Sequence, residues 1–159
     1  MKFASLKSMS LDGEHLMVSR DNKTAVSIKW IVSCLREIPE RWDEIYSDLN
    51  KLYQNLNDGK VPNDFSVDQS KLLSPFPRAF QWYDGSAFLH HVRLVRRARG
   101  ATMPDELLKI PLVYQGGSDS FLAPNEDIPC VDLAHGVDFE AEFAVVTDHV
   151  PMGTNAKDA

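Results

Sequence analysis

The chain has 159 residues, of which 43% are hydrophobic and 25% are charged, and its formal net charge is −6. This length allows one domain or parts of two, and the composition is that of a folded globular protein. The acidic balance argues against a nucleic-acid-binding surface, and no apolar run approaches the roughly 20 residues of a membrane-spanning helix. Cys34 and Cys130 are far apart and are predicted to be reduced core residues. These features together predict a cytoplasmic protein that binds neither nucleic acid nor membrane.

The first part of the chain is predicted to contain a small β-meander. Asp12-Gly13 and Asp21-Asn22 have turn chemistry and separate short apolar runs. The three runs are residues 3–6, 15–18 and 25–28. The pattern therefore predicts three antiparallel strands.

Two helices are predicted to follow the meander, one short (residues 30–36) and one long. The long helix follows Pro39 and ends at Gly59, because its apolar residues recur at helical spacing. These residues are Trp42, Ile45, Tyr46, Leu49, Leu52, Tyr53 and Leu56. The polar residues 59–77, with three prolines, are predicted to be a linker or domain boundary.

A further helix is predicted from about Ser86 to Ala98, with Asp84 or Ser86 as its N-cap and Gly100 as its stop. Asp84 and His91 are seven residues apart, so in one helix they would lie on nearly the same face. A carboxylate and an imidazole on the same helix face could together line one pocket. A capping aspartate and a half-exposed histidine explain the same pattern and are favoured by these residues alone.

Arg99 and Tyr114 are candidate ligands for a substrate anion. Arg99 lies at the predicted helix end beside loops, where a guanidinium can bind a carboxylate through two hydrogen bonds. Tyr114 lies at a predicted strand end before the Gly116-Gly117 loop, and its hydroxyl can donate to an oxyanion. A solvated arginine and a packed tyrosine are the alternatives.

Residues 137–146 are predicted to form a buried strand, because apolar and acidic residues alternate along them. Glu140 and Glu142 would share one face, with Asp138 in line behind them. A dry interior does not accept unpaired like charges, so a shared divalent cation is one explanation. An edge strand with water-facing glutamates is the other, and the pattern leaves both open.

The order of four motifs resembles the fumarylacetoacetate hydrolase family, in its bacterial fumarylacetoacetase-like branch. The motifs are LSPFPRAFQWYDGS at residues 73–86, HVxLVRxARG at 91–100, PLVYQGGSD at 111–119 and DFEAE at 138–142. The resemblance implies an α+β, β-rich fold. A small N-terminal domain (residues 1–74) would precede the beginning of a mixed β-sandwich or roll catalytic domain (residues 75–159). It also implies that the chain is the N-terminal half of a longer enzyme.

The resemblance also implies roles for the candidate residues. Asp84, Glu140 and Glu142 match carboxylates that bind Mg²⁺ or Ca²⁺, and His91 matches the histidine that activates water. Arg99 and Tyr114 match groups that contact the substrate.

The implied reaction is metal-dependent cleavage of a carbon–carbon bond in a β-diketo acid such as fumarylacetoacetate, in tyrosine and phenylalanine degradation, by a homodimer. Acylpyruvate hydrolysis, decarboxylation and hydration are alternative chemistries of the same family. A catalytically incomplete folding or interaction module is an alternative of another class.

Overall fold

The computed structural model describes residues 1–137 and 139–158. These residues contain six strands, three α-helices and three short 3₁₀-helices. They divide into two compact units, residues 1–77 with 121–159 and residues 78–120. Both sheets are antiparallel and are mixed with helices, which confirms the predicted α+β class. The predicted domain boundary between residues 74 and 75 stays a prediction.

The first unit contains a four-stranded antiparallel sheet of strand order β1-β2-β3-β4. The strands are β1 (Lys2–Leu6), β2 (Glu14–Val18), β3 (Thr24–Ser27) and β4 (Phe65–Ser66). Gly13 and Asn22 lie in the two connecting turns with φ of 75° and 62°, the left-handed region that glycine and asparagine tolerate best. The predicted meander is confirmed.

Residues 59–77, predicted to be a linker or domain boundary, belong to the first unit and are not a free linker. The first segment of that unit ends at Pro77, and the domain boundary stays a prediction. Strand β4 pairs with β3, and Leu72 forms an isolated bridge with Leu6. The Ser5 hydroxyl also donates to the Pro75 carbonyl oxygen at 2.8 Å. The backbone hydrogen bonds of this polar, proline-containing stretch are therefore partly satisfied by the sheet that it covers.

The helices of the first unit are α1 (Glu37–Glu40) and α2 (Trp42–Asn57). Helix α2 confirms the predicted long helix, and Gly59 ends it with φ of 66°. Its apolar stripe packs on the sheet in one cluster of buried side chains: Met17, Val26, Ile28, Val32, Leu35, Ile38, Ile45, Leu49 and Leu56. The core of the first unit therefore lies between α2 and the meander.

The short helix predicted at residues 30–36 is wrong, because these residues form turns and α1 begins only at Glu37. The Glu37 carboxylate accepts a hydrogen bond from the Ser33 amide at 3.3 Å and also contacts the Ser33 hydroxyl. This side-chain-to-backbone hydrogen bond accompanies the turn that precedes α1.

His15 is almost completely buried on β2, and its burial has a consequence for stability. Desolvation is the largest influence and lowers the pKa of the imidazole below its usual 6.5, although Asp12 nearby acts in the opposite direction. The unfolded chain therefore binds this proton more readily than the folded chain does. The contribution of neutral His15 to the free energy of unfolding is complete above pH 6.5 and is lost as the pH falls through the lowered pKa.

We expect the free energy of unfolding of the first unit to fall as the pH is lowered below about 6.5, and His15→Asn to flatten this dependence. Urea unfolding at a series of pH values measures both slopes. Carboxylates with lowered pKa, such as Glu37, titrate at more acidic pH and do not interfere. Equal slopes for the parent and the variant would contradict this assignment.

The second unit contains a pair of antiparallel strands, called the β5–β6 hairpin below, with a helix in the long connection between them. Strand β5 (Tyr83–Ser86) pairs antiparallel with β6 (Leu112–Gln115), and α3 (Leu89–Ala98) lies between them in sequence. Gly100 ends α3 with φ of 67°. The predicted helix is confirmed for most of its length but begins at Leu89, because residues 83–86 belong to a strand.

The strand predicted at residues 137–146 is not present among the described residues. Residues 139–150 have no assigned strand, and Phe139, Phe143 and Val145 are exposed rather than buried. A strand requires a hydrogen-bonded neighbour, and none of the strand pairs in the described residues includes this segment. Asp138 lies outside the described residues.

Cys130 is also exposed, so its prediction as a core residue is wrong, whereas Cys34 is half-buried. Both thiols are free. Within residues 1–137 and 139–158, no helix has the length and apolarity needed to cross a bilayer.

Candidate functional site

The β5–β6 hairpin brings Asp84 and Tyr114 directly opposite each other. Opposed residues of an antiparallel pair point to the same face, with Cβ atoms about 4.5–5.5 Å apart. The half-buried Asp84 carboxylate and the exposed Tyr114 ring therefore share one face of the hairpin. A hydrogen-bond donor and an anion are thus neighbours, although 30 residues separate them in sequence.

Trp82, the residue directly before β5, supports this face. Its ring meets the Tyr114 ring edge-on, with centroids 5.7 Å apart and planes at 70°. The indole N–H donates to the Gly117 carbonyl oxygen at 2.7 Å, which holds the ring against the glycine loop. A Cβ at Gly116 would overlap the indole ring, so glycine is required for this close approach.

The loop after β6 is tied back to the chain before β5. The Ser118 hydroxyl donates to the Phe80 carbonyl oxygen at 3.1 Å, and the Ala79 amide donates to the Ser118 carbonyl oxygen at 3.0 Å. These bonds extend the pairing beyond the strands themselves. The orientation of Tyr114 is therefore set by both strand pairing and loop closure.

His91 and Arg99 lie at opposite ends of α3. His91 is in the first turn and is exposed, and Arg99 is the exposed C-cap residue. The expectation that Asp84 and His91 occupy one face of one helix is wrong, because Asp84 is on β5. The prediction of Asp84 or Ser86 as the helix N-cap is wrong for the same reason, since Phe88 occupies that position.

Glu140 and Glu142 lie in the first unit on an exposed segment without assigned secondary structure. Asp84, His91, Arg99 and Tyr114 lie in the second unit. Within the described part of the chain, no three His, Cys, Asp or Glu side chains are grouped as metal ligands. Within the second unit, the structure places Asp84 directly opposite Tyr114. The metal-ligand roles of Asp84, Glu140 and Glu142 stay predictions.

Trp82 is the residue of this site that the sequence reasoning missed. The signal was present, since Trp82, Asp84 and Ser86 alternate with Tyr83 and Gly85 as strand residues do. The three are half-buried, whereas Tyr83 and Gly85 are exposed. A strand interpretation of residues 82–86 would have placed Trp82 on the face of Asp84.

Comparison with known protein families gives two adjoining matches. Residues 1–78 match the family model described as fumarylacetoacetase N-terminal domain 2. Residues 81–159 match the model described as fumarylacetoacetate (FAA) hydrolase C-terminal. No curated protein matches the chain significantly. Together the two models account for nearly the whole sequence, and the chain belongs to the fumarylacetoacetate hydrolase family.

Proposed function

We propose that this chain carries part of the active site of a metal-dependent hydrolase that cleaves a carbon–carbon bond in a β-diketo acid. Fumarylacetoacetate is the proposed substrate, with fumarate and acetoacetate as products, in the degradation of tyrosine and phenylalanine. The cytoplasm is the proposed location, and a homodimer the proposed assembly. Support comes from the family match and from the opposition of Asp84 and Tyr114 on the hairpin, which is the observation that carries the proposal.

A divalent cation is part of this proposal, because members of the family generally use one. Asp84, Glu140 and Glu142 supply carboxylate oxygens, the donor type that Mg²⁺ and Ca²⁺ prefer. The chemistry of this donor set fits either ion.

Side chains of this chain carry out the other steps of the proposed reaction. His91, as general base, takes a proton from the water that attacks the substrate carbonyl carbon. The Tyr114 hydroxyl donates to a substrate oxygen, and the Arg99 guanidinium pairs with a substrate carboxylate and fixes its orientation. The C–C bond then breaks, and the departing carbon fragment keeps the electron pair as an enolate that is later protonated. A bound divalent cation supplies Lewis-acid polarisation of the carbonyl and stabilises the enolate charge.

Cleavage of fumarylacetoacetate with and without Mg²⁺ or Ca²⁺ tests the proposed function. We expect loss of the diketo absorbance when either cation is present and no loss after a chelator is added. Restoration by fresh cation distinguishes metal removal from unfolding. Cleavage that persists in the chelator would contradict the metal-dependent reaction.

Glu140→Gln tests the ligand role without relying on turnover. An amide removes one negative charge from the donor set, so we expect cation affinity to fall about tenfold or more by titration calorimetry. Glu106→Gln is the matched control, because Glu106 is exposed and lies on a separate 3₁₀-helix, Asp105–Leu108. Equal affinities of the Glu140→Gln variant and the parent would exclude Glu140 as a ligand.

A second candidate function is a non-catalytic interaction module. The observation that favours it is the row of exposed apolar side chains on residues 139–152, including Phe139, Phe143 and Met152. Such a row suits contact with another protein surface. The two candidates differ in the cleavage experiment, since an interaction module would neither bind the cation nor turn over substrate.

A further inference from the structure

Trp82 lies one step beyond the paired strands, opposite Gly116, at the end of the hairpin that carries the glycine loop. The Gly116 amide donates to the Trp82 carbonyl oxygen at 3.4 Å, so the two backbones remain adjacent there. Side chains alternate between faces along each strand, which puts Trp82, Asp84 and Tyr114 on one face. Tyr114 therefore has Asp84 as its direct partner and Trp82 as a diagonal neighbour.

The indole of Trp82 covers Gly116. The three atoms nearest to a Cβ built at Gly116 all belong to this indole, and the Cβ would overlap them. The indole N–H donates to the Gly117 carbonyl oxygen at 2.7 Å, a directional bond that fixes the ring in addition to the packing. The ring is therefore held at a defined position, and that position requires the absence of a side chain at residue 116.

The Tyr114 ring packs against this indole. The two centroids are 5.7 Å apart and the planes meet at 70°, an edge-to-face arrangement that aromatic pairs favour. Tyr114 is 61% exposed, and a strand residue commonly adopts either of two χ1 rotamers. Contact with Trp82 favours the rotamer that brings the Tyr114 ring to the glycine-loop end of the hairpin.

We propose that Trp82 is a positioning residue that holds the Tyr114 hydroxyl in the orientation from which it binds the substrate oxygen, and that this role requires glycine at residue 116. The inference rests on the proposed function, in which Tyr114 contacts the substrate. Trp82 itself touches neither substrate nor cation. A ring that is oriented before the substrate arrives loses less rotamer freedom on binding, so the contact raises the affinity for substrate.

Three variants disturb the contact in different ways. Trp82→Leu removes the ring and the N–H, whereas Trp82→Phe keeps a ring without the N–H. Gly116→Ala keeps both rings but displaces the indole, and alanine suits the backbone because Gly116 has no positive φ. Tyr83→Leu is the matched control, since Tyr83 is the next residue along the chain and is exposed on the opposite face.

NMR spectroscopy of labelled tyrosine measures the χ1 rotamer populations of Tyr114 from three-bond couplings, without substrate. Tyr114→Phe identifies the resonances, and the amide shifts of β5 and β6 show whether the hairpin persists. We expect one dominant rotamer in the parent and in the Tyr83→Leu control. Trp82→Leu and Gly116→Ala should average over two rotamers, and Trp82→Phe should be intermediate. One dominant, parent-like rotamer in both Trp82→Leu and Gly116→Ala overturns the proposal.

Steady-state cleavage of fumarylacetoacetate in the presence of Mg²⁺ tests the consequence for binding. Trp82→Leu should raise KM about three- to tenfold with kcat nearly unchanged, the loss expected when one neutral hydrogen bond is misaligned. In the Tyr114→Phe background there is no hydroxyl to orient, so Trp82→Leu should change KM by less than about 1.5-fold. Equal increases of KM in the two backgrounds would indicate general damage to the hairpin and overturn the positioning of the hydroxyl.

The two measurements separate this inference from the proposed function. If the parent does not cleave the substrate, the proposed function fails and the role of Trp82 in substrate binding fails with it. The rotamer populations still decide whether Trp82 orients Tyr114. If the parent cleaves the substrate and the rotamer populations do not change, the proposed function stands and the positioning role is wrong.

Discussion

His91→Ala is expected to lower kcat for β-diketo acid cleavage by about 10²–10⁴-fold, the usual contribution of a general base. The first turn of α3 holds this imidazole, and alanine has the higher helix propensity, so the helix should persist. His91 is a proton acceptor and not a metal ligand in the proposal. Mg²⁺ affinity should therefore stay close to that of the parent, as calorimetry on the same sample will show.

His90→Ala is the matched control for this prediction. His90 is the preceding residue in the same turn and is also exposed, so its loss changes composition and helix context equally. We expect His90→Ala to retain most of the turnover. Comparable turnover in the His91→Ala variant and the parent, in a preparation that cleaves the substrate, would exclude His91 as the base.

Leu49→Ala is expected to reduce the free energy of unfolding of the first unit by about 2–5 kcal/mol. Leu49 is fully buried at the centre of the α2 stripe and packs in the cluster that joins α2 to the meander. Truncation loses the transfer energy of the removed methyl groups and leaves a cavity in a core that can only partly relax. Urea unfolding followed by circular dichroism measures the change.

Leu11→Ala provides the comparison for Leu49→Ala, because Leu11 is 75% exposed in the loop between β1 and β2. Its truncation should change the free energy of unfolding by no more than about 0.5 kcal/mol. A loss below about 1 kcal/mol for Leu49→Ala would mean that α2 does not form the core of the first unit.

The first unit was largely predictable from the sequence, since its signals are local. The glycine and asparagine turns, the short apolar runs and the stripe of α2 each act over a few residues. Propensity, turn chemistry and helical periodicity therefore identify them without knowledge of distant partners. The misplaced helix at residues 30–36 shows the limit, because these residues form turns that include a hydrogen bond from the Ser33 amide to the Glu37 carboxylate.

The candidate site was predictable only as a set of residues. The resemblance selected Asp84, His91, Arg99, Tyr114, Glu140 and Glu142, but spacing placed Asp84 and His91 on one helix. Whether Asp84 joins a helix or a strand depends on β6, which lies some 30 residues later. Pairing at that separation leaves no trace in the local sequence around Asp84.

By itself, the sequence determined the family, the meander, helix α2 and most of α3, because short-range chemistry and ordered motifs carry that information. Only the tertiary structure decided that Asp84 faces Tyr114 and that Trp82 packs against Tyr114. The same alternation of apolar and acidic residues suits a buried strand or an exposed segment, since backbone hydrogen bonds need a neighbour. In the described structure residues 139–150 have no such strand neighbour.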